Sequence, residues 1–90
     1  VRIVVSTAPA GVAHDIARLL VGEGHAACVN CLPGVRSVYR WEGEVRDESE
    51  TLLWVKTTQA RGSELTERLR SVHPYEAPEA LRHFDVDQVG

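Results

Sequence analysis

Val35-Arg36-Ser37-Val38-Tyr39-Arg40-Trp41-Glu42-Gly43-Glu44-Val45, then Arg46-Asp47-Glu48-Ser49, then Glu50-Thr51-Leu52-Leu53-Trp54-Val55-Lys56-Thr57, is the stretch whose reading decides the fold. Side chains alternate faces along an extended chain, so Val35, Ser37, Tyr39, Trp41, Gly43 and Val45 share one side of the first run. Arg36, Val38, Arg40, Glu42 and Glu44 take the other, and two such runs meeting at a charged turn predict a β-hairpin. A turn centred on Asp47-Glu48 places Trp41 opposite Trp54 and Tyr39 opposite Lys56, stacking the aromatic residues on one face. A turn centred on Gly43 is the alternative.

The hairpin is longer than its own cover. At about 3.3 Å per residue the first run spans roughly 36 Å. The helical patterns near Val12 to Val21 and Ser63 to Val72 each give only about 15 Å. Tyr39, Trp41, Val45, Leu52 and Trp54 are therefore expected on an uncovered ribbon, where apolar surface of that extent marks association between copies of the chain. Ninety residues make one domain over positions 1–90, and a chain of this size buries a modest fraction of its surface, so assembly would add stability.

Outward from the hairpin, Val1 to Thr7 is a β-branched run that reads as a buried strand, broken by Ala8-Pro9-Ala10-Gly11. Val12, Ile16, Leu19 and Leu20 recur at helical spacing, with Gly22 and Gly24 as stop signals. Ala26 to Leu32 is a second apolar strand, and Pro33-Gly34 bends the chain before the hairpin. Leu65, Leu69 and Val72 continue in a second helix, ended by His73-Pro74, because proline disfavours helical geometry in the residue before it. Ala80 to Val86 is the final strand. The order strand, helix, two strands, helix, strand predicts an α+β, ferredoxin-like βαββαβ fold, an antiparallel sheet with two helices on one face. Its other face must be polar or covered by a partner.

The formal charge of −3, with acidic and basic residues interspersed, provides no basic stripe for nucleic acid. No apolar run approaches about 18 residues, which argues against a membrane span and makes a cytoplasmic location the expectation.

Ser6-Thr7-Ala8-Pro9, Ala26-Ala27-Cys28-Val29-Asn30, Leu32-Pro33-Gly34, Ser37 to Gly43, Lys56-Thr57 and His73-Pro74-Tyr75-Glu76-Ala77-Pro78-Glu79 together resemble the CutA divalent-cation tolerance proteins. The resemblance covers nearly the whole chain. It implies ferredoxin-like subunits in a tight homotrimer, with hairpins reaching across subunit boundaries. It also implies a response to divalent metal ions, copper above all, with metal or a small ligand bound at subunit clefts and no established enzymatic reaction. Tyr39, Trp41, Lys56, Tyr75 and Glu76 are the expected pocket residues. A trimeric sensor or adaptor with the logic of the PII signalling proteins is the alternative. Relatives usually continue into a segment carrying Tyr and Trp, whereas this chain ends at Asp85-Val86-Asp87-Gln88-Val89-Gly90.

Copper and zinc favour thiolate and imidazole, so the candidate ligands are Cys28, Cys31, His14, His25, His73 and His83. Cys28 and Cys31 lie three apart on a strand, point to opposite faces, and cannot chelate together. Cys28 belongs to the motif; both read as small buried apolar residues. His73 is the stronger candidate, at a helix end that favours a cationic imidazole. The resemblance implies two further soft ligands, but Ser6 and Val72 stand at those places. His14 and His25 read as surface residues and His83 as an edge-strand residue. The carboxylates Glu42, Glu44, Asp47, Glu48 and Glu50 read as solubilising charges near the hairpin tip. No nucleophile elbow, phosphate loop or zinc-protease helix motif occurs, so no catalytic residue is expected and no cofactor is required.

Overall fold

The computed structural model describes residues 1–72 and, as backbone, residues 82–85. Its elements are β1 (Arg2–Ala8), α1 (Ala10–Gly22), β2 (Cys28–Trp41), β3 (Glu44–Thr57), α2 (Gly62–Val72) and β4 (Arg82–Asp85). The strands lie in the order β2-β3-β1-β4, each neighbouring pair antiparallel, which is the split ferredoxin-like arrangement the element order predicts. The described part of the final strand, Arg82–Asp85, falls within the expected Ala80 to Val86 and lies at a sheet edge, where His83 was expected.

Sheet and helices meet through side chains set by their two periodicities. Val4 and Ala8 of β1 stand opposite Val55 and Thr51 of β3, on the same face as Leu53. Against that face α1 sets Ala13, Ile16, Ala17 and Leu20, and α2 sets Leu65 and Leu69, all buried. Each fully buried leucine contributes about 1.5–3 kcal/mol relative to exposure. The end of α1 is closed by backbone bonds from Glu23 to the Leu19 carbonyl (2.9 Å) and from Gly24 to Val21 (3.1 Å). Gly24 has φ +79°, a conformation glycine adopts without steric cost.

The hairpin turns at Gly43, the alternative centre, and so corrects the Asp47-Glu48 reading and the faces built on it. Its strands join through Glu42 (φ 50°) and Gly43 (φ 78°), both left-handed, as a two-residue type I′ turn requires. Trp41 therefore faces Glu44 and Tyr39 faces Arg46, while Trp54 faces Asn30 and Lys56 faces Cys28. Val45 stands opposite Arg40 and so on the face away from Tyr39 and Trp41. Leu52 and Trp54 belong to the inner half of the hairpin, beside Thr7 and Val5 of β1.

β2 runs through Pro33-Gly34 as one strand instead of two, with a register break between Leu32 and Val35. β1 pairs with β3 only over Thr51 to Thr57, so Val35 to Glu50 continues beyond the helices as a two-stranded ribbon. The chain is accordingly elongated, 41 × 25 × 21 Å.

Glu42 occupies a left-handed position that costs a residue with a Cβ about 1–2 kcal/mol, less for asparagine. Glu42→Asn is expected to raise the unfolding free energy by about 0.5–1 kcal/mol, and Gly43→Val to lower it by about 1–2 kcal/mol. Urea titrations at one fixed protein concentration measure both.

Candidate functional site

The ribbon presents two unlike faces. One continues the open side of the sheet and carries Val35, Ser37, Tyr39 and Trp41 with Glu44, Arg46, Glu48 and Glu50. The other lies on the helix side and carries Arg36, Val38, Arg40, Val45, Asp47 and Ser49. Diagonal contacts bear out the assignment. Desolvation first, and a bond from its hydroxyl to the Glu48 carboxylate second, push the Tyr39 pKa up. Arg36 holds Asp47 on the helix side at 2.9 Å. Trp41 is 48% exposed, Val38 65% and Val45 67%, values high enough to leave apolar surface uncovered on both faces. Glu50, where the ribbon leaves the sheet, is buried.

Among the described residues, only part of the expected pocket comes together within one chain. Tyr39 and Trp41 share the open face near the tip. Lys56 shares that face ten positions along β3 from Tyr39's partner Arg46, about 33 Å away. Trp54 and Leu52 are half-buried between the two. His73, Tyr75 and Glu76 lie outside the described residues.

The soft donors are equally dispersed. Cys28 shares the open face with Asn30 and Lys56, whereas Cys31 packs against the core. Both thiols are free and half-buried, less buried than the sequence suggests. The Cys28 thiol lies 3.9 Å from the Asn30 side-chain oxygen. Ser6 is fully buried among apolar side chains, and its hydroxyl has no partner among the described residues. His14 is exposed on α1, as expected. Among the described residues, no three His, Cys, Asp or Glu side chains are grouped as a metal requires.

A polar clasp escapes sequence reasoning. Arg68 of α2 donates from Nε to Glu23 Oε1 (2.8 Å) and from a terminal nitrogen to Oε2 (3.0 Å), a bidentate pair across 45 positions of sequence. His25 Nε2 lies 3.2 Å from the same carboxylate, and its carbonyl accepts from Thr57 Oγ1 at 2.7 Å. Arg61 donates to the Gly24 carbonyl. His25 is thus half-buried and held, not the free surface residue its neighbours Gly24 and Ala26 suggest.

Fold and site together define a class: ferredoxin-like domains with a projecting hairpin and an open, partly apolar sheet face. The sequence model of the CutA1 divalent ion tolerance proteins matches residues 2–89, and the chain belongs to that family. A divalent-cation tolerance protein CutA from Thermus thermophilus is 50% identical over 81 residues, covering 89% of this chain and 79% of that one. A CutA homologue from Xenopus laevis is 50% identical over 70 residues, covering 78% of this chain but 46% of its own length. The chain thus spans less than half of that relative. The solved structure of the Thermus thermophilus protein has a TM-score of 0.90 at 42% identity, covering 99% of this chain and 86% of that one. A PII-like protein CutA from Nostoc sp. PCC 7120 gives 0.91 at 40% identity, covering 97% and 82%.

Two measurements test this local chemistry. The Arg68 side chain holds Glu23 below its ordinary carboxyl value of 4.5. The clasp therefore adds stability above that value, and the stability is lost as pH falls through the lower folded-state pKa. Thermal unfolding of Glu23→Gln is expected below the parent at near-neutral pH, with the two converging in acid. Ser6→Ala, which removes the buried unpaired hydroxyl, is expected to leave the unfolding free energy unchanged or raise it by about 1 kcal/mol.

Proposed function

We propose that the protein acts in divalent-cation tolerance as a homotrimer assembled through its ribbon, in the cytoplasm and without catalysing a covalent reaction. The observation that carries this reading is the ribbon itself, which leaves the cover of its own helices with Tyr39, Trp41, Val38 and Val45 exposed. The two faces also complement each other in charge. The open face has three carboxylates to one guanidinium, and the helix-side face has Arg36 and Arg40 to one carboxylate. Opposite faces of successive copies attract, a heterologous contact that closes into a ring. Three is the number implied by the resemblance. Within the trimer Tyr39, Trp41 and Val45 lie at contacts, with Leu52 and Trp54 supporting them.

The described part of a single chain does not fit a preformed copper site. Copper or another divalent ion is instead bound weakly at clefts between copies, with His73 and Cys28 as the soft donors. Tyr39, Trp41, Lys56, Tyr75 and Glu76 are the proposed lining, contributed by more than one copy because Tyr39 and Lys56 stand too far apart within one. A second reading, a trimeric adaptor binding a small metabolite or protein partner, is favoured by the likeness to the Nostoc protein named PII-like.

Sedimentation equilibrium is expected to give three times the chain mass for the parent and a weakening of about a hundredfold or more for Trp41→Glu, since burying a charged carboxylate there is costly. A monomeric parent overturns the reading. Calorimetric titration with cupric ion separates the two readings: in the first the parent gives a heat of binding that His73→Ala abolishes, and in the second the parent and His73→Ala give the same heat.

A further inference from the structure

The β2–β3 ladder departs from regular pairing at one place. Leu32 faces Leu52 and Val35 faces Glu50, so Pro33 and Gly34 together oppose Thr51. One strand has an extra residue there, the definition of a β-bulge. Thr51 is also where β3 ends its pairing with β1, opposite Ala8. The irregularity therefore sits where the sheet gives way to the ribbon.

We infer that the Pro33-Gly34 bulge is a positioning element that bends the ribbon toward the neighbouring copy, an inference that rests on the proposed self-association. Three observations support it. Bulges bend the strand that carries them and increase its twist, and this one lies where β3 leaves β1 and the ribbon begins. The extra residue is absorbed so that Leu32, Val35, Tyr39 and Trp41 all face the open side, although Leu32 and Val35 are three apart. Gly34 has φ +76°, yet a Cβ built on it meets nothing within 4 Å. The position requires a backbone conformation, not space, and Pro33 lacks the N–H that a ladder position would use.

Deleting Gly34 provides a direct test, because the ladder can then close regularly with Val35 still opposite Glu50 and every face unchanged. Far-UV circular dichroism reads the fold and sedimentation velocity across a concentration series reads assembly. Parent and Gly34→Asn, which tolerates left-handed backbone, are expected to assemble alike. The deletion is expected to keep the secondary structure and associate at least about tenfold more weakly. Unchanged association, or larger aggregates from a straightened edge strand, would overturn the inference while leaving the proposed function standing. A monomeric parent would overturn both. Should the deletion not fold, Gly34→Val decides the matter, since a β-branched residue rejects that φ: association equal to that of Gly34→Asn defeats the inference.

Discussion

The pairing of β2 with β3, strands of fourteen residues each, is the interaction on which the rest of the structure depends. Closing it through Glu42-Gly43 fixes the register, and a slip of one residue would move every side chain to the other face. The inner half, Thr51 to Thr57, is held between β1 and β2 and supplies Leu53 and Val55 to the core. The outer half inherits the same register beyond the reach of β1. One ladder thus supports both the core and the ribbon.

That division explains what could be read from the sequence. The element order and the buried stripes of α1 and α2 were legible because each apolar pattern is resolved by burial on one side. Val4, Leu20, Leu53, Leu65 and Leu69 leave no choice of face. The turn was not legible for the converse reason. Both ribbon faces meet solvent in one chain, so Arg46-Asp47-Glu48-Ser49 alternates as well in a strand as it suits a turn. The deciding fact is conformational: Glu42 accepts a left-handed backbone ahead of Gly43. Once the turn moves there, Val45 changes face and Leu52 and Trp54 move inward, which accounts for every displaced residue of the expected aromatic stack.

The candidate site divides along the same line. Tyr39 and Trp41 were readable because they alternate together on one strand, and the dispersal of the thiols was readable from their spacing of three. The link from Glu23 through His25 to Arg68 was not, since bidentate geometry between the end of α1 and the middle of α2 exists only after the helices dock. Its strength comes from shape as much as charge: the guanidinium fork meets both carboxylate oxygens while His25 approaches one of them.

β2 is also an edge strand, and a long exposed edge invites indiscriminate pairing. This chain carries several devices against that outcome on the strand itself. Pro33 removes one donor, the adjoining bulge interrupts the row of ladder groups, and Arg36 and Arg40 place charge beyond it. The same residues leave the aromatic pair Tyr39 and Trp41 on the opposite face untouched. Association through side-chain faces is therefore compatible with this edge in a way that strand addition along Pro33-Gly34 is not. A small chain with apolar side chains exposed on both faces of a ribbon gains from separating the two: faces open, edge closed to extension.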